Sequence, residues 1–385
     1  MIVVIADDFS GAAEIAGVGW RYGLDCEIQT EPDLAHQSRD LIVIDTDTRS
    51  LPVNEAKIKL KQIIHQITSW PYHWLYKKVD SVLRGHVLAE LTVILDHLNL
   101  RKVLLIPANP TTGRIIKEQK YYINNLPLHQ TEFAEDPEFP VKSSRIVNLL
   151  GNSADSLVKI FDEPEALAEN GIVVGSVQSV NQLNEWAVCV SHDILAAGGA
   201  EFFQALLMSK IKKMKIHRQL KPLDRQSKQL FVIGSAAGQK DNDRLQAISR
   251  RRIICPIPVP EGAKLILSES RLAEWITQIN GAFHRYRQVV AVSGVEDPDH
   301  VNIIKKLPTF MAGMVAGVID KTIIDHLIIS GGSTASKIIR TLSWTKLIPV
   351  NEVSPGIVML KVKGIPAHHL IVKPGSYPWP EQLYM

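Results

Sequence analysis

An unbroken apolar run, Ile2-Val3-Val4-Ile5-Ala6, stops at two adjacent carboxylates, Asp7 and Asp8, and a Phe9-Ser10-Gly11 turn. A short run that is apolar at every position suits a strand buried on both faces of a sheet. The small residues that follow at once suit a helix packed closely against it. Open α/β proteins gather their ligands at such joints, at the carboxyl ends of parallel strands. Carboxylates are costly to bury there unless something answers their charge, so this stretch reads as the edge of an active site.

Strand-like and helical patterns alternate along almost the whole chain, as in βα units on a parallel sheet. Strands are expected at Ile2–Ala6, Leu41–Asp45, Trp74–Val79, Val103–Pro107, Ile172–Val177 and Ala187–Val190. His86–Leu98 reads as a helix, with Leu88, Leu91, Leu95 and Leu98 repeating at three and four. From Met208 to Gln229 the sequence turns basic and polar, and Leu230-Phe231-Val232-Ile233-Gly234-Ser235 restarts the rhythm. Strands at Val289–Ser293 and Leu327–Ser330 follow, with helices over Val301–Asp325 and Ser336–Leu342. The expected fold is α/β: two domains, residues 1–215 and 228–385, with largely parallel sheets flanked by helices and a ligand cleft between them.

Charged residues are 22% of the 385 and nearly cancel, leaving a net charge of +3. Neither that balance nor the short basic run Lys210–Lys215 makes a nucleic-acid footprint. Cys26, Cys189 and Cys255 lie far apart, in or beside apolar runs, without disulfide or metal spacing. They read as buried thiols in a reducing compartment. No apolar run approaches the roughly 18 residues that span a bilayer. A cytoplasmic protein with small-molecule ligands is expected, with no nucleic-acid or membrane partner; a homo-oligomer is left open.

Four expected strand ends carry polar clusters: Asp7–Gly11, Asp45-Thr46-Asp47-Thr48-Arg49-Ser50, Lys77–Gly85 and Pro107–Arg114. Any one of them is explained as well by helix capping or a solvated turn. Four at one sheet edge point to a site, because buried carboxylates and arginines need partners. Arg84, Arg49 and Arg114 suit a two-pronged clamp on a carboxylate. Asp7, Asp8 and Asp80 suit vicinal hydroxyls, and one of them suits a general base. A small polyhydroxylated acid fits this set. The aspartates would repel a bare phosphate, and Mg²⁺ would reverse that.

In the second half, Ser330-Gly331-Gly332-Ser333-Thr334-Ala335 follows a strand and precedes a helix. Glycines there let a phosphate approach the backbone closely, and hydroxyls and amides face it. The Walker pattern GxxxxGK[ST] is absent. Ser354-Pro355-Gly356 and Lys373-Pro374-Gly375-Ser376 add two more glycine turns.

The stretches IADDFSGA, DTDTRS, KKVDSVLRG, IPANPTTGR, GGSTA, SPG and VKPG, with Leu128–Thr131, Asp136-Pro137, Pro140 and Ser143-Ser144 between them, resemble the four-carbon acid sugar kinase family over nearly the whole chain. The resemblance implies an ATP-dependent kinase, with Mg²⁺ as companion ion, acting on the terminal hydroxyl of threonate, erythronate or an oxo-tetronate. The first domain would hold the acid and the second the nucleotide. Asp8, Asp80, Ser81 and Arg84 then fall in the acid-sugar region, grouped with Ser10, Arg49 and Arg114. Ser235, Gly331, Gly332, Ser333, Thr334 and Gly375 fall in the ATP region, with Gly356 and Lys373 beside them. Asp8 is the expected base, and Asp7 and Arg84 complete the catalytic set. Three departures remove polar contacts: Val82 replaces a threonine, Ala236-Ala237-Gly238 lacks the family's hydroxyls, and Pro374 lacks a backbone donor.

The alternative reading is a non-catalytic or regulatory acid-sugar-binding protein on the same fold. A phosphatase of the haloacid dehalogenase type wants two aspartates separated by one residue. Asp7 and Asp8 are adjacent, and neighbours on an extended strand face opposite ways. A dinucleotide-dependent oxidoreductase would carry GxGxxG after the first strand, which is missing.

Overall fold

The structure, a computed structural model, describes residues 1–33, 39–136, 138–151, 154–164, 167, 170–211, 226–234, 254–257, 268–292, 301–365, 369–375, 377–380 and 383. The chain divides into two compact units, Met1–His217 and Arg218–Met385. Among the described residues no helix is long and apolar enough to cross a membrane.

The first unit is built on parallel strands β1 (Ile2–Ala6), β2 (Cys26–Gln29), β3 (Leu41–Asp45), β4 (Trp74–Lys78), β5 (Lys102–Ile106), β9 (Val158–Phe161), β10 (Gly171–Gly175) and β11 (Ile194–Gly198). They lie in the order β2-β3-β1-β4-β11-β5-β10-β9. Between β5 and β9 the chain makes a separate antiparallel sheet of β6 (Arg114–Lys117), β7 (Lys120–Ile123) and β8 (Leu126–Pro127). Every residue of β1 and β3 is buried, which is why both read as continuous apolar runs. The register pairs Ala6 with Asp45 and with Lys78, and Gly198 with Lys78 and with Ile106. The four polar clusters therefore start from neighbouring strand ends along one edge.

Helix α1 (Phe9–Arg21) starts at once after β1 because Asp8 caps it, its Oδ1 accepting the Gly11 N–H at 2.8 Å. Its small residues let it lie close to the sheet. A Cβ on Gly19 would come within 2.5 Å of the Leu41 side chain. Helix α2 (Val53–Ile67) buries Ala56, Leu60, Ile63, Ile64 and Ile67 on one stripe. Helix α3 (Val87–Leu98) buries Val87, Leu88, Glu90, Leu91, Val93 and Ile94. A carboxylate among those apolar residues is the exception that matters below.

In the second unit β12 (Gln229–Ile233), β13 (Ile254–Ile257), β14 (Gln288–Val292), β15 (His326–Ser330), β16 (Lys346–Ser354), β17 (Ile357–Val362) and β18 (His369–Lys373) lie in the order β13-β14-β12-β15-β18-β17-β16. The first five are parallel and the last two antiparallel. Helices Glu269–Ala282, Val301–Ile319 and Gly332–Thr341 complete its described elements.

Some expectations are corrected. Ala187–Val190 is not a strand: helix Val180–Val188 runs through it, capped by Ser179, with Leu183, Trp186 and Ala187 on its buried face. The strand lies further on at β11, where Ala196-Ala197-Gly198 offers little apolar mass to read. Cys189, expected buried, is exposed just after that helix, whereas Cys26 is buried; the side chain of Cys255 lies outside the described residues. The helix expected from Ser336 begins four residues earlier, at Gly332.

Gly198 shows how tightly the strands close at the edge. A Cβ there would sit 2.0 Å from the Ile106 carbonyl oxygen, at φ +156. Gly198→Ala is expected to lower stability by about 1–3 kcal/mol or more in chemical denaturation, as overpacking does. Gly281→Ala, whose Cβ would meet nothing within 4 Å, is expected to be neutral or to stabilise by up to about 1 kcal/mol. Equal responses of the two variants would contradict this packing.

Candidate active site

After β3 the chain folds back over the end of β1. The Thr46 N–H and hydroxyl both donate to the Ala6 carbonyl, and the Thr48 and Arg49 N–H groups donate to the Asp7 carbonyl. Asp47 makes the turn in the left-handed region, at φ 49, a conformation Asp tolerates better than bulky residues. Arg49 is thereby set directly over the aspartates. Its Nε and Nη2 donate to the two Asp7 carboxylate oxygens at 2.7 and 3.1 Å, and its Nη1 donates to Asp8 Oδ2 at 2.8 Å. The same Nη1 stands 3.6 Å from Asp80 Oδ1. Strand alternation suggested that Asp7 and Asp8 face apart, yet one guanidinium reaches both, because Asp8 has already left the strand as a helix cap. Ser10 donates to Asp8 Oδ2 at 2.5 Å.

The second cluster folds around its own carboxylate. Asp80 Oδ2 accepts the N–H groups of Val82 and Arg84 at 3.2 and 3.1 Å. This turn holds buried Leu83 at φ 65, a strained position for a bulky side chain. Arg84 returns on Asp80 with Nε at 3.0 Å and Nη2 at 2.8 Å, and its Nη1 donates to Asp136 Oδ2 at 2.8 Å. Arg114 donates to the Ser81 hydroxyl. The Arg84 and Arg114 guanidiniums lie 5.2 and 5.8 Å from the ring centre of Phe133, within cation–π range. Asp7, Asp8, Ser10, Arg49, Asp80, Ser81, Arg84 and Arg114 thus form one connected set.

Burial presses both Asp7 and Asp80 toward the neutral acid, but the arginines prevail. Arg49, Lys77 and Lys78 together hold the Asp7 carboxyl below its ordinary range. Arg84 and Arg49 hold Asp80 further down still. Burial likewise works against the charge of Arg49, and the three aspartates raise its pKa well above the usual value. A buried arginine between carboxylates stays charged because its neighbours supply what water would.

Behind this set lies a group the sequence reading passed over. Lys77 is fully buried and its Nζ stands 2.8 Å from Glu90 Oε2, which α3 brings in from the side. The Thr48 hydroxyl donates to Glu90 Oε1 at 2.5 Å and lies 2.8 Å from the Thr46 hydroxyl. The turn carrying Arg49 is therefore fastened to the core through Glu90. The available signal was Glu90 itself, a carboxylate on the apolar face of a helix. Lys78 pairs with Glu14 at 3.3 Å under the first turn of α1.

In the second unit the register sets Ser330 beside both Ile233 and Lys373. Gly234, Gly331 and Pro374 thus follow directly on adjacent strand ends. Gly331, at φ +107, caps helix Gly332–Thr341 without a side-chain bond, and its N–H donates to the Lys373 carbonyl. Ser333 is exposed and Thr334 buried, with Thr334 Oγ1 2.4 Å from where a Gly234 Cβ would stand. The first-turn N–H groups of this helix make a ready anion seat. Lys373 is buried, and its Nζ donates to the carbonyls of Pro374, Gly375 and Tyr377, 5.1 Å from the Trp379 ring centre. It staples the following loop. Gly356, at φ +80, sits in the β16–β17 hairpin, where a Cβ would stand 2.4 Å from the Tyr377 ring. Ser235 and the departures at 236–238 lie outside the described residues, as does Ser376.

Comparison with known proteins agrees with this division. A sugar-binding N-terminal domain model matches residues 2–219, and a nucleotide-binding C-terminal domain model matches residues 230–377. The D-threonate kinase of Salmonella typhimurium is 32% identical over 154 residues, a match covering 39% of this chain and only 36% of that protein. The 3-oxo-tetronate kinase of Methylobacterium radiotolerans is 22% identical over 97% of this chain and 95% of its own. The crystal structure of Haemophilus influenzae protein HI1011 shares the fold, with a TM-score of 0.69, 19% identity and coverage of 99% of this chain and 98% of that one. With both domain models matched in order, the chain belongs to the four-carbon acid sugar kinase family.

Proposed function

We propose that the protein transfers the terminal phosphoryl group of ATP to the terminal hydroxyl of a four-carbon sugar acid such as threonate, erythronate or an oxo-tetronate. The observation that carries this reading is the Arg49 bracket. It holds Asp7 and Asp80 ionised and gathers Asp8 beside them at the carboxyl edge of a sugar-binding unit, where they suit the hydroxyls of a polyol chain. Asp7 and Asp80 are each gripped by two nitrogens of an arginine and held low, which makes them poor proton acceptors. Asp8 has a single arginine bond and a partly exposed carboxylate, so it is the proposed base. Ser10, Ser81 and Arg114 would line the acid, with Arg84 facing its carboxylate.

The nucleotide reading assigns phosphate to the backbone of Gly331 and Gly332 and the hydroxyls of Ser333 and Thr334, with Gly234 and Gly375 leaving room beside them. Gly356 and Lys373 support that loop cluster from behind. A Mg²⁺ ion carried on the nucleotide phosphates fits the donor set. Among the described residues no group of three or more His, Cys, Asp or Glu forms a cage, and Mg²⁺ in kinases takes few protein ligands beside the phosphates. When bound, the ion supplies charge neutralisation to the transferring phosphoryl group.

A coupled ADP-release assay with Mg-ATP and a panel of D- and L-threonate, D-erythronate and oxo-tetronates tests the reading. Turnover of at least one acid is expected; acid binding without turnover would favour the non-catalytic alternative. Asp8→Asn is expected to lower kcat by about 100-fold or more, the scale of a lost general base, and near-normal turnover would remove Asp8 from that role. Gly332→Asp places a carboxylate at the helix N-terminus, so KM for ATP should rise while KM for the acid stays close to wild type.

Stability gives an independent check. Asp80→Asn leaves Arg84 short of its main partner and is expected to cost about 3–5 kcal/mol. The folded Asp80 carboxyl is held low, so the stability it contributes is full above its unfolded value of about 3.9 and is lost as pH falls below it. Thermal unfolding of wild type should therefore drop more steeply with acidification below about pH 4 than that of the variant. Parallel slopes would contradict the pairing.

A further inference from the structure

Asp136 differs from the other carboxylates of the first unit in how it arrives. Asp7, Asp8 and Asp80 stand just past the ends of β1 and β4, whereas Asp136 ends the 3₁₀ turn Glu132–Glu135 beyond the small β6–β8 sheet. Its Oδ2 accepts from Arg84 Nη1 at 2.8 Å, while Oδ1 accepts the N–H groups of Glu138 and Phe139 at 3.0 and 2.8 Å. Letting go of Arg84 would leave that second oxygen and its loop undisturbed. Asp80 has no such freedom, since it takes two nitrogens of Arg84 and two backbone N–H groups at once.

Charge decides what this cluster can admit. Asp7, Asp8, Asp80 and Asp136 face Arg49 and Arg84, so the cluster is negative before a ligand enters. Lys78 is answered by Glu14, and Arg114, bonded to the neutral Ser81 hydroxyl, adds a third guanidinium, so the four aspartates still outnumber the arginines. A further carboxylate, added with every existing pair kept, would deepen that buried excess of negative charge, which proteins avoid. Exchanging one carboxylate for another on the same guanidinium leaves the charge at Arg84 unchanged.

We propose that Asp136 occupies the seat of the substrate carboxylate on Arg84 and is exchanged for it when the acid binds. This rests on the acid-sugar reading above. The incoming carboxylate takes Nη1 and the second N–H of Nη2, the end of the fork that Asp80 leaves unused. Asp136, already partly exposed, turns its Oδ2 to water. Phe133 stays under the Arg84 and Arg114 guanidiniums and keeps the plane of the fork. A neutral polyol brings nothing to replace Asp136, so the exchange selects for acids.

Calorimetric titration without nucleotide tests this, using D-threonate, D-erythronate and neutral threitol against wild type, Asp136→Asn and Asp136→Glu. Asp136→Asn removes the competing anion and should bind the acid roughly two- to fivefold tighter, the range set by one partly exposed ion pair. Asp136→Glu keeps the competing charge and should stay near wild type, and threitol should bind more weakly than the acids to wild type. Unchanged or weaker acid binding by Asp136→Asn overturns the exchange while leaving the acid-sugar reading intact. Absence of acid binding by wild type overturns both. A crystal structure of wild type with the acid bound decides independently of any variant's folding. The ligand carboxylate on Arg84 Nη1 supports the exchange, and Asp136 Oδ2 still on Nη1 overturns it.

Discussion

The guanidinium of Arg49 is what makes the carboxyl edge of the first sheet tolerable. Asp7 and Asp80 are buried, and Asp8 is partly exposed. Without a shared cation, such carboxylates would take up protons or force the turns apart. Arg49 gives two nitrogens to Asp7, one to Asp8 and a longer-range contact to Asp80. The rest of the edge follows from keeping it there. The Thr46–Arg49 turn is pinned to Ala6 and Asp7 by backbone bonds and to Glu90 and Lys77 by side chains. Gly85, at φ +89, stands where a Cβ would come within 3.0 Å of Arg49 Cγ.

The second unit solves a different problem with backbone rather than side-chain charge. Gly234, Gly331 and Pro374 follow its neighbouring strand ends, and the helix from Gly332 opens there with N–H groups that have no partner within the helix. Lys373 looks from sequence like a phosphate ligand, yet its ammonium is spent on the carbonyls of its own loop. Pro374, which lacks a donor, contributes its carbonyl to that staple. The departure at Pro374 is thus accommodated by the structure of its own loop.

What was legible in the sequence follows from how each element earns its burial. Strand β1 is apolar throughout and β3, β4 and β5 carry apolar runs with charged residues only at one end, so their limits read within a residue or so. The strand at Ile194–Gly198 could not be, because alanine and glycine carry little side-chain signal. Val188–Val190 attracted a strand assignment through β-branched residues at a helix end. The β6–β8 sheet went unread behind its polar turns. For the site, the residue types in each cluster were visible, but their pairing was not. Arg49 lies some forty residues from Asp7, and no local pattern announces that it will hold Asp8 as well. Asp136, Thr48 and Lys77 stand in the sequence only as members of polar clusters and family motifs, and Glu90 shows only as a carboxylate on an apolar helix face, because a buried charge pair leaves no local pattern that joins its two members.

The most direct test is the steady-state kinetics of Arg49→Lys with whichever four-carbon acid wild type phosphorylates, alongside its thermal unfolding. Lysine keeps the positive charge but loses the planar fork that spans Asp7 and Asp8. The account predicts a folded protein whose kcat/KM for the acid falls by about 100-fold or more, because the aspartates lose their common geometry. A variant with near-wild-type kcat/KM would contradict it and show that charge at this edge suffices without the fork.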